Sequence, residues 1–123
     1  MMEVAADALE RIKEAARPGR ALGTLDDIHR SVLDAAGFAE QRYSACGYAL
    51  GCTFKPTWMD VPPMIYSGNP LVMQPGMVFF VHIMIPDIRT GLCAGVGQTF
   101  VIRERGAPEV FSDIPLVLHR HSG

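Results

Sequence analysis

The chain has 123 residues, of which 49% are hydrophobic and 20% are charged, and its formal net charge at pH 7 is -2. This balance is typical of one globular domain with a substantial core, and it lacks the basic surplus that nucleic-acid or membrane-surface binding requires. No apolar run reaches membrane-spanning length, and the acidic first residues are unlike a signal peptide. We therefore expect residues 1–123 to form a single cytoplasmic domain whose partners include neither nucleic acid nor a membrane.

Two helices are predicted in the first third of the chain. Apolar residues recur at helical spacing from Val4 to Ala16, and the segment Arg17-Pro18-Gly19 stops this first helix. Thr24 and Asp27 have the spacing of a capping box, in which each side chain bonds the other residue's backbone, so a second helix should begin there.

The second helix has an apolar stripe and a glycine placed to end it. Gly37 is expected to adopt a left-handed conformation at the end of the helix. His29 lies on this helix, but position i+4 carries no second metal-binding side chain, so we expect His29 to face solvent. The stripe residues are Leu25, Ile28, Val32 and Leu33.

The remainder of the chain is rich in predicted strands. A short strand from Tyr43 to Leu50 is followed by a proline-rich loop that ends at Pro75, and a loop of this length commonly forms a lid or a site wall. An apolar strand over residues 76–85 should then pair antiparallel with a strand from about Val96 to Ile102. A last short strand is expected near Val110 and Phe111.

His82 is the most informative residue, because it stands in the middle of that apolar strand. The run is apolar at both parities, which indicates a strand covered on both faces. Side chains alternate along a strand, so Phe80, His82 and Met84 should share one face, which is a candidate site wall. The alternative is that His82 is a core histidine bonded to a backbone carbonyl.

The three cysteines, Cys46, Cys52 and Cys93, are odd in number and lack Cys-x-x-Cys spacing. This pattern argues against a disulfide framework and against a structural zinc site. Reduced thiols in apolar surroundings are expected.

Four local motifs resemble the C-terminal half of the pita-bread fold shared by aminopeptidase P, prolidase, methionine aminopeptidase and creatinase. They are Pro18-Gly19 with Thr24, then Ala36-Gly37-Phe38, then Gly47-Tyr-Ala-Leu-Gly51, and finally Leu71-x-x-Gln-Pro-Gly-Met-Val-Phe79, which is the most specific. Within the family, the segment from Gly51 to Met77 looks most like ectoine hydrolase. The resemblance implies an α+β fold, half of a pita-bread domain, with two N-terminal helices packed on a curved, mainly antiparallel β-sheet.

The resemblance also implies where metal ligands would stand. The family's peptidases bind two divalent metal ions with two aspartates, one histidine and two glutamates. The aspartates belong to an N-terminal half that this chain does not contain, the histidine falls on Tyr48, and the glutamates fall on His82 and Gly97. Two hard cations need several carboxylates to offset their charge, so we expect no metal ligands and no cofactor on this chain.

Five residues are candidates for a site. His82 is the candidate general base, with Tyr48 as an orienting or proton-donating group. Trp58 and Asp60 in the proline-rich loop are candidate substrate contacts, and their alternatives are a packed indole and a solvated carboxylate. Gln98 is a further candidate substrate contact that either faces the site or breaks the strand pattern at a bulge, and a one-residue register error would exchange it with Gly97.

The function predicted from this resemblance is a peptidase- or creatinase-like C–N hydrolase fragment or subunit that is metal-independent and incomplete without a second half. The second half could be a missing N-terminal segment or another copy in a homodimer. The alternatives are a catalytically inactive module that binds a small-molecule or peptide-like ligand, and a plain interaction module whose apolar sheet face is an interface.

Overall fold

The computed structural model describes residues 1–51 and 64–118. Two helices come first, followed by a five-stranded antiparallel sheet in the order β2-β1-β3-β4-β5. Neither described helix has the length and apolarity needed to cross a bilayer. The elements are α1 (Met2–Ala15), α2 (Gly23–Ala35), β1 (Ala45–Ala49), β2 (Met64–Tyr66), β3 (Val78–Asp87), β4 (Leu92–Val101) and β5 (Glu109–Val110).

The first helix matches the prediction. It ends at Ala15, and Ala16, two residues before Pro18, is already extended. The helix packs against α2, β3 and β4 through a stripe of small and aliphatic side chains. That stripe comprises Ala5, Ala8, Leu9, Ile12 and Ala15.

The second helix forms, but the predicted capping box is wrong. The helix begins at Gly23, and its N-terminus has no side-chain cap. The Thr24 hydroxyl instead donates to the carbonyl of Ala21 at 2.7 Å. The Asp27 carboxylate accepts a hydrogen bond from the Ser67 hydroxyl, so it does not return to the backbone.

A neighbouring backbone segment takes the place of the cap. The Leu22 N–H donates to the Leu71 carbonyl at 2.7 Å, and the Gly23 N–H donates to the Asn69 carbonyl at 3.0 Å. A Cβ on Gly23 would lie 2.5 Å from the Asn69 nitrogen, so only glycine permits this approach. The amides of Leu22 and Gly23 are therefore satisfied by tertiary contact, while those of Thr24 and Leu25 bond the local carbonyls of Ala21 and Leu22.

The end of α2 follows the prediction. Gly37 has φ of +83°, in the left-handed region. The N–H of Phe38 then donates to the carbonyl of Leu33 at 2.8 Å, as in a Schellman motif.

The sheet has one covered face and one half-covered face. Phe79, Val81, Ile83 and Ile85 of β3 are buried against the helices, and each contributes roughly 1.5–3 kcal/mol by leaving water. The alternate residues of β3 are only half-buried. The predicted alternation is confirmed, but the expectation of a strand covered on both faces is wrong for the described part of the chain.

Two sheet elements differ from the prediction, and a third has a β-bulge. β2 lies within the segment that was predicted to be irregular, and it pairs with β1 at the sheet edge. β4 begins at Leu92, four positions before the predicted start, and pairs with β3 along its whole length. The register shifts between Ala45 and Gly47, which makes Cys46 the extra residue of a β-bulge.

Candidate functional site

The candidate site is the face of the sheet opposite the helices, which we call the open face. Its central residues are Tyr48 of β1, Phe80, His82 and Met84 of β3, and the facing glycines of β4. Tyr48 stands opposite Phe80, and His82 stands opposite Gly97. The positions that the resemblance assigned to three metal ligands therefore come together on one surface.

Three rings form the middle of the open face. The Phe80 and His82 rings stack with their centroids 5.4 Å apart and an interplanar angle of 16°. The Tyr48 ring meets His82 edge-on at 5.8 Å and lies 5.5 Å from Phe80. The structure thus brings the two predicted catalytic side chains, His82 and Tyr48, into ring contact, while their chemical roles stay predictions.

Gly97 makes room for this aromatic group. A Cβ at position 97 would lie 2.8 Å from Cζ of Phe80 and 3.1 Å from Cβ of His82. The Phe80 ring thus occupies the space that any side chain at position 97 would need. A carboxylate could not be accommodated there without moving the ring.

His82 sits in an environment that favours its neutral form. Partial burial lowers the pKa of His82 below its ordinary value of 6.5, with a smaller contribution from His29. A histidine that is neutral at pH 7 can accept a proton or a hydrogen bond. The open face therefore offers a base among apolar rings.

The open face has few of the carboxylates that a site for two divalent metal ions needs. Strands β1, β3 and β4 contain a single acidic residue, Asp87, at the end of β3. Asp87 has the parity of Ile85, which faces the helices, and its carboxylate accepts the Arg89 N–H. The remaining donors at the ligand positions are a phenol and one imidazole, which together supply no negative charge at neutral pH.

Gln98 is not on the open face, which corrects its assignment as a substrate contact. Its side chain is buried on the helix side, where Oε1 accepts a hydrogen bond from Lys13 Nζ at 2.9 Å. Gln98 has the parity of Val96 and Phe100, so α1 covers it together with these core residues. The polar side chain is tolerated there because the lysine satisfies it.

The two predicted loop contacts, Trp58 and Asp60, lie outside the described residues. Their assignment as substrate contacts stays a prediction.

A polar group that the sequence interpretation missed lies on the helix side of the sheet. His29 was expected to face solvent, but it is only 1% exposed, so that prediction is wrong. Its Nδ1 lies 3.0 Å from Oδ1 of Asp26, which is fully buried. His29 lies four residues after Leu25 and four before Leu33, both on the buried side of the helix. The 3.6-residue helical period therefore predicts that His29 faces the core.

Asp26 is the centre of this buried group. Its Oδ2 accepts hydrogen bonds from Arg30 Nε at 2.7 Å and from the Ser67 backbone N–H at 3.0 Å. Burial alone would raise the pKa of Asp26, but the hydrogen bonds and charges of His29 and Arg30 outweigh burial and hold the pKa below its ordinary value. The carboxylate is therefore ionised and joins α2 to the segment after β2.

Cys46 completes the buried group. The bulge in β1 brings its thiol next to α2, and the donor atoms of Asp26, His29 and Cys46 all lie within 4.8 Å of one another. Burial, followed by the charge of Asp26, raises the pKa of the Cys46 thiol well above its ordinary value. As predicted, this cysteine is a reduced thiol, but one of its neighbours is a carboxylate.

Comparison with known proteins identifies the fold and the family. The model of metallopeptidase family M24 matches residues 1–104. The probable dipeptidase PepE of Mycobacterium bovis is 34% identical over 99 residues, which are 79% of this chain and 24% of that protein. The Xaa-Pro dipeptidase of Lactobacillus helveticus is 33% identical over 86 residues, which are 68% of this chain and 22% of that protein.

A solved structure agrees with these matches. The crystal structure of dipeptidase PepE from Mycobacterium ulcerans superimposes with a TM-score of 0.83 at 26% identity and covers 95% of this chain and 30% of its own. The predicted α+β pita-bread fold is thereby confirmed, and the chain spans about a quarter of the length of these curated relatives. The finer likeness to ectoine hydrolase stays a prediction. This chain belongs to metallopeptidase family M24.

Proposed function

We propose that this chain provides one wall of a C–N hydrolase site of the peptidase and creatinase type, and that it works without a dinuclear metal centre. The wall is the open face, where a peptide-like or small-molecule amide would lie against Tyr48, Phe80 and His82. A second half, either another polypeptide segment or another copy of this chain in a homodimer, would complete the site. Its place of action would be the cytoplasm.

The observation that supports this proposal is the group of aromatic rings at the positions that the resemblance assigned to metal ligands. His82 and Tyr48 lie 5.8 Å apart between ring centroids, and the Phe80 ring fills the space beside Gly97. In a hydrolysis without metal, neutral His82 would take a proton from the attacking water and later give it to the leaving amine. Tyr48 would orient the substrate or donate a proton.

The test compares hydrolysis of Xaa-Pro dipeptides and small amides by the intact protein and by His82→Gln. We expect turnover that persists in a metal chelator and is lost in His82→Gln. Gln98→Ala is the matched control, since it alters the same sheet on the covered face and should keep its activity. The assay should run at a temperature at which circular dichroism shows the chelated protein to be folded. Turnover that chelation abolishes, or that survives in His82→Gln, would contradict the proposal.

A second candidate is an inactive module that binds a small ligand or another protein. Its support is the uncharged character of the open face, where the half-buried aromatic side chains of β3 could bind a ligand without any chemistry. This reading predicts that dipeptides or betaines raise the melting temperature without being consumed. No thermal shift with any of these ligands would count against ligand binding, and a monomer at all concentrations in native mass spectrometry would count against self-association.

A further inference from the structure

The buried group on the helix side is separate from the open face. Asp26 and His29 project from α2, one helical turn apart, and Cys46 lies at the bulge of β1. All three residues are at most 1% exposed. They are a carboxylate, an imidazole and a thiol, and the proposed function does not use any of them.

We propose that Asp26, His29 and Cys46 form a site for one divalent cation of the zinc class, which would fasten α2 to β1. Sulfur, nitrogen and oxygen donors together suit a borderline-soft ion such as Zn²⁺ or Co²⁺ rather than Mg²⁺ or Ca²⁺. The site is independent of the metal ions that bind to related peptidases, because it lies on the opposite face of the sheet.

The distances agree with tetrahedral coordination. Bonds of about 2.0–2.3 Å to zinc place neighbouring ligand atoms roughly 3.3–3.8 Å apart. Here Nδ1 of His29 lies 3.0 Å from Oδ1 of Asp26, and the Cys46 sulfur lies within 4.8 Å of a ring nitrogen of His29 and of a carboxylate oxygen of Asp26. A shift of about 1 Å or less, estimated from the bond lengths above, would bring all three atoms to ligand spacing. A water molecule would take the fourth position.

The contacts around the group resemble those that orient metal ligands. Arg30 and the Ser67 N–H both donate to Oδ2 of Asp26, which leaves Oδ1 directed toward His29. Such outer hydrogen bonds fix a ligand's orientation and charge. The bulge supplies the third ligand, because strict alternation along β1 would place Cys46 on the face of Tyr48.

Binding of the cation changes the protonation of two side chains. The Cys46 thiol loses its proton to solvent, and His29 presents the lone pair of Nδ1 and carries its proton on Nε2. The Cys46 thiolate and the ionised Asp26 then supply two negative charges to the cation, while the charge of Arg30 beside Asp26 is partly exposed to water. Binding should therefore release about one proton per ion.

The experiment uses a variant in which Cys46 is the only thiol, made by Cys52→Ser and Cys93→Ser. Co²⁺ added to the metal-free protein should give a thiolate-to-cobalt charge-transfer band that saturates at one equivalent. Adding Cys46→Ala to this background should abolish the band, and His29→Gln should weaken cobalt binding by at least tenfold. Circular dichroism checks that each variant is folded.

A second measurement does not depend on substitutions at the site. Zn²⁺ should raise the melting temperature of the intact protein, a chelator should reverse the rise, and Mg²⁺ should have no effect. The proposal is overturned if Co²⁺ gives no charge-transfer band, if the band persists in Cys46→Ala, or if Zn²⁺ leaves the melting temperature unchanged. In any of these cases the three side chains form only a hydrogen-bonded link between α2 and the sheet.

Discussion

Replacing Asp26 by asparagine should destabilise the metal-free protein far more than its small change in shape suggests. The carboxylate is fully buried and accepts hydrogen bonds from His29 Nδ1, Arg30 Nε and the Ser67 N–H. Asparagine has one acceptor oxygen and an NH₂ group. When the asparagine oxygen keeps the bonds to Arg30 and Ser67, its NH₂ group faces His29. The histidine can then accept a hydrogen bond from the NH₂ group by changing tautomer, so the main loss is the negative charge.

The expected loss follows from the exposure of the two partners. Removing one member of a buried ion pair costs roughly 3–5 kcal/mol. Arg30 is 30% exposed and also donates to the Ser44 carbonyl, so water can solvate it after the change. We therefore expect a loss of about 2–4 kcal/mol in the free energy of unfolding, or about 8–16 °C in melting temperature for a domain of this size.

Urea unfolding in the presence of a chelator, with the slope of the transition compared between variants, is the assay. Asp34→Asn is the matched control, because Asp34 pairs with Arg42 on the protein surface, and its removal should change stability little. The expectation is contradicted if the free energy of unfolding of Asp26→Asn lies within about 1 kcal/mol of that of the parent protein, because a loss of that size is typical of an ordinary substitution. It is also contradicted if Asp26→Asn and Asp34→Asn lose equal stability.

The same substitution should change the acid profile. The pKa of Asp26 in the folded protein lies below its ordinary value of 3.8, because hydrogen bonds and charges from His29 and Arg30 outweigh burial. The stability contributed by Asp26 is therefore fully present above the unfolded value and is lost as the pH falls through the folded value. Asp26→Asn should show a flatter decline of stability below about pH 4.

Three further results are expected from the open face and its control position. Burial lowers the pKa of His82, so its NMR titration should have a midpoint below 6.5. The contribution of His82 to the free energy of unfolding should fall as the pH drops through 6.5. A titration midpoint at or above 6.5 would contradict the burial argument. Gly97→Ala should push the Phe80 ring aside and lower the free energy of unfolding by about 1–3 kcal/mol. It should also weaken ligand binding, which calorimetry with the dipeptides can measure. Unchanged binding would show that Phe80 is not part of the site. Gln98→Leu should lower the free energy of unfolding by about 1 kcal/mol because Lys13 loses an acceptor, while ligand binding stays unchanged.

Local sequence signals were sufficient to predict most of the helices and strands and the family. Periodic apolar residues specified α1 and α2, and glycine at position 37 specified the left-handed end of α2, because each signal depends on side chains within one or two turns. Alternation along β3 correctly separated Phe79 from His82. The motif positions also indicated that Tyr48, His82 and Gly97 lie on one surface. Pairing between neighbouring strands places the residues at these positions next to one another.

Contacts between distant segments determine most of the hydrogen bonds that satisfy buried polar groups. The capping box at Thr24 did not form because α2 begins at Gly23, whose amide bonds the Asn69 carbonyl, and this contact joins residues more than forty positions apart. Gln98 was left open for the same reason, because its partner Lys13 lies 85 positions away. The bulge that places the Cys46 thiol next to α2 likewise depends on the pairing of β1 with β2. His29 differs, since its partner Asp26 is three positions away and the helical period was the available signal. Neither propensity nor periodicity within one segment records a partner that lies far along the chain.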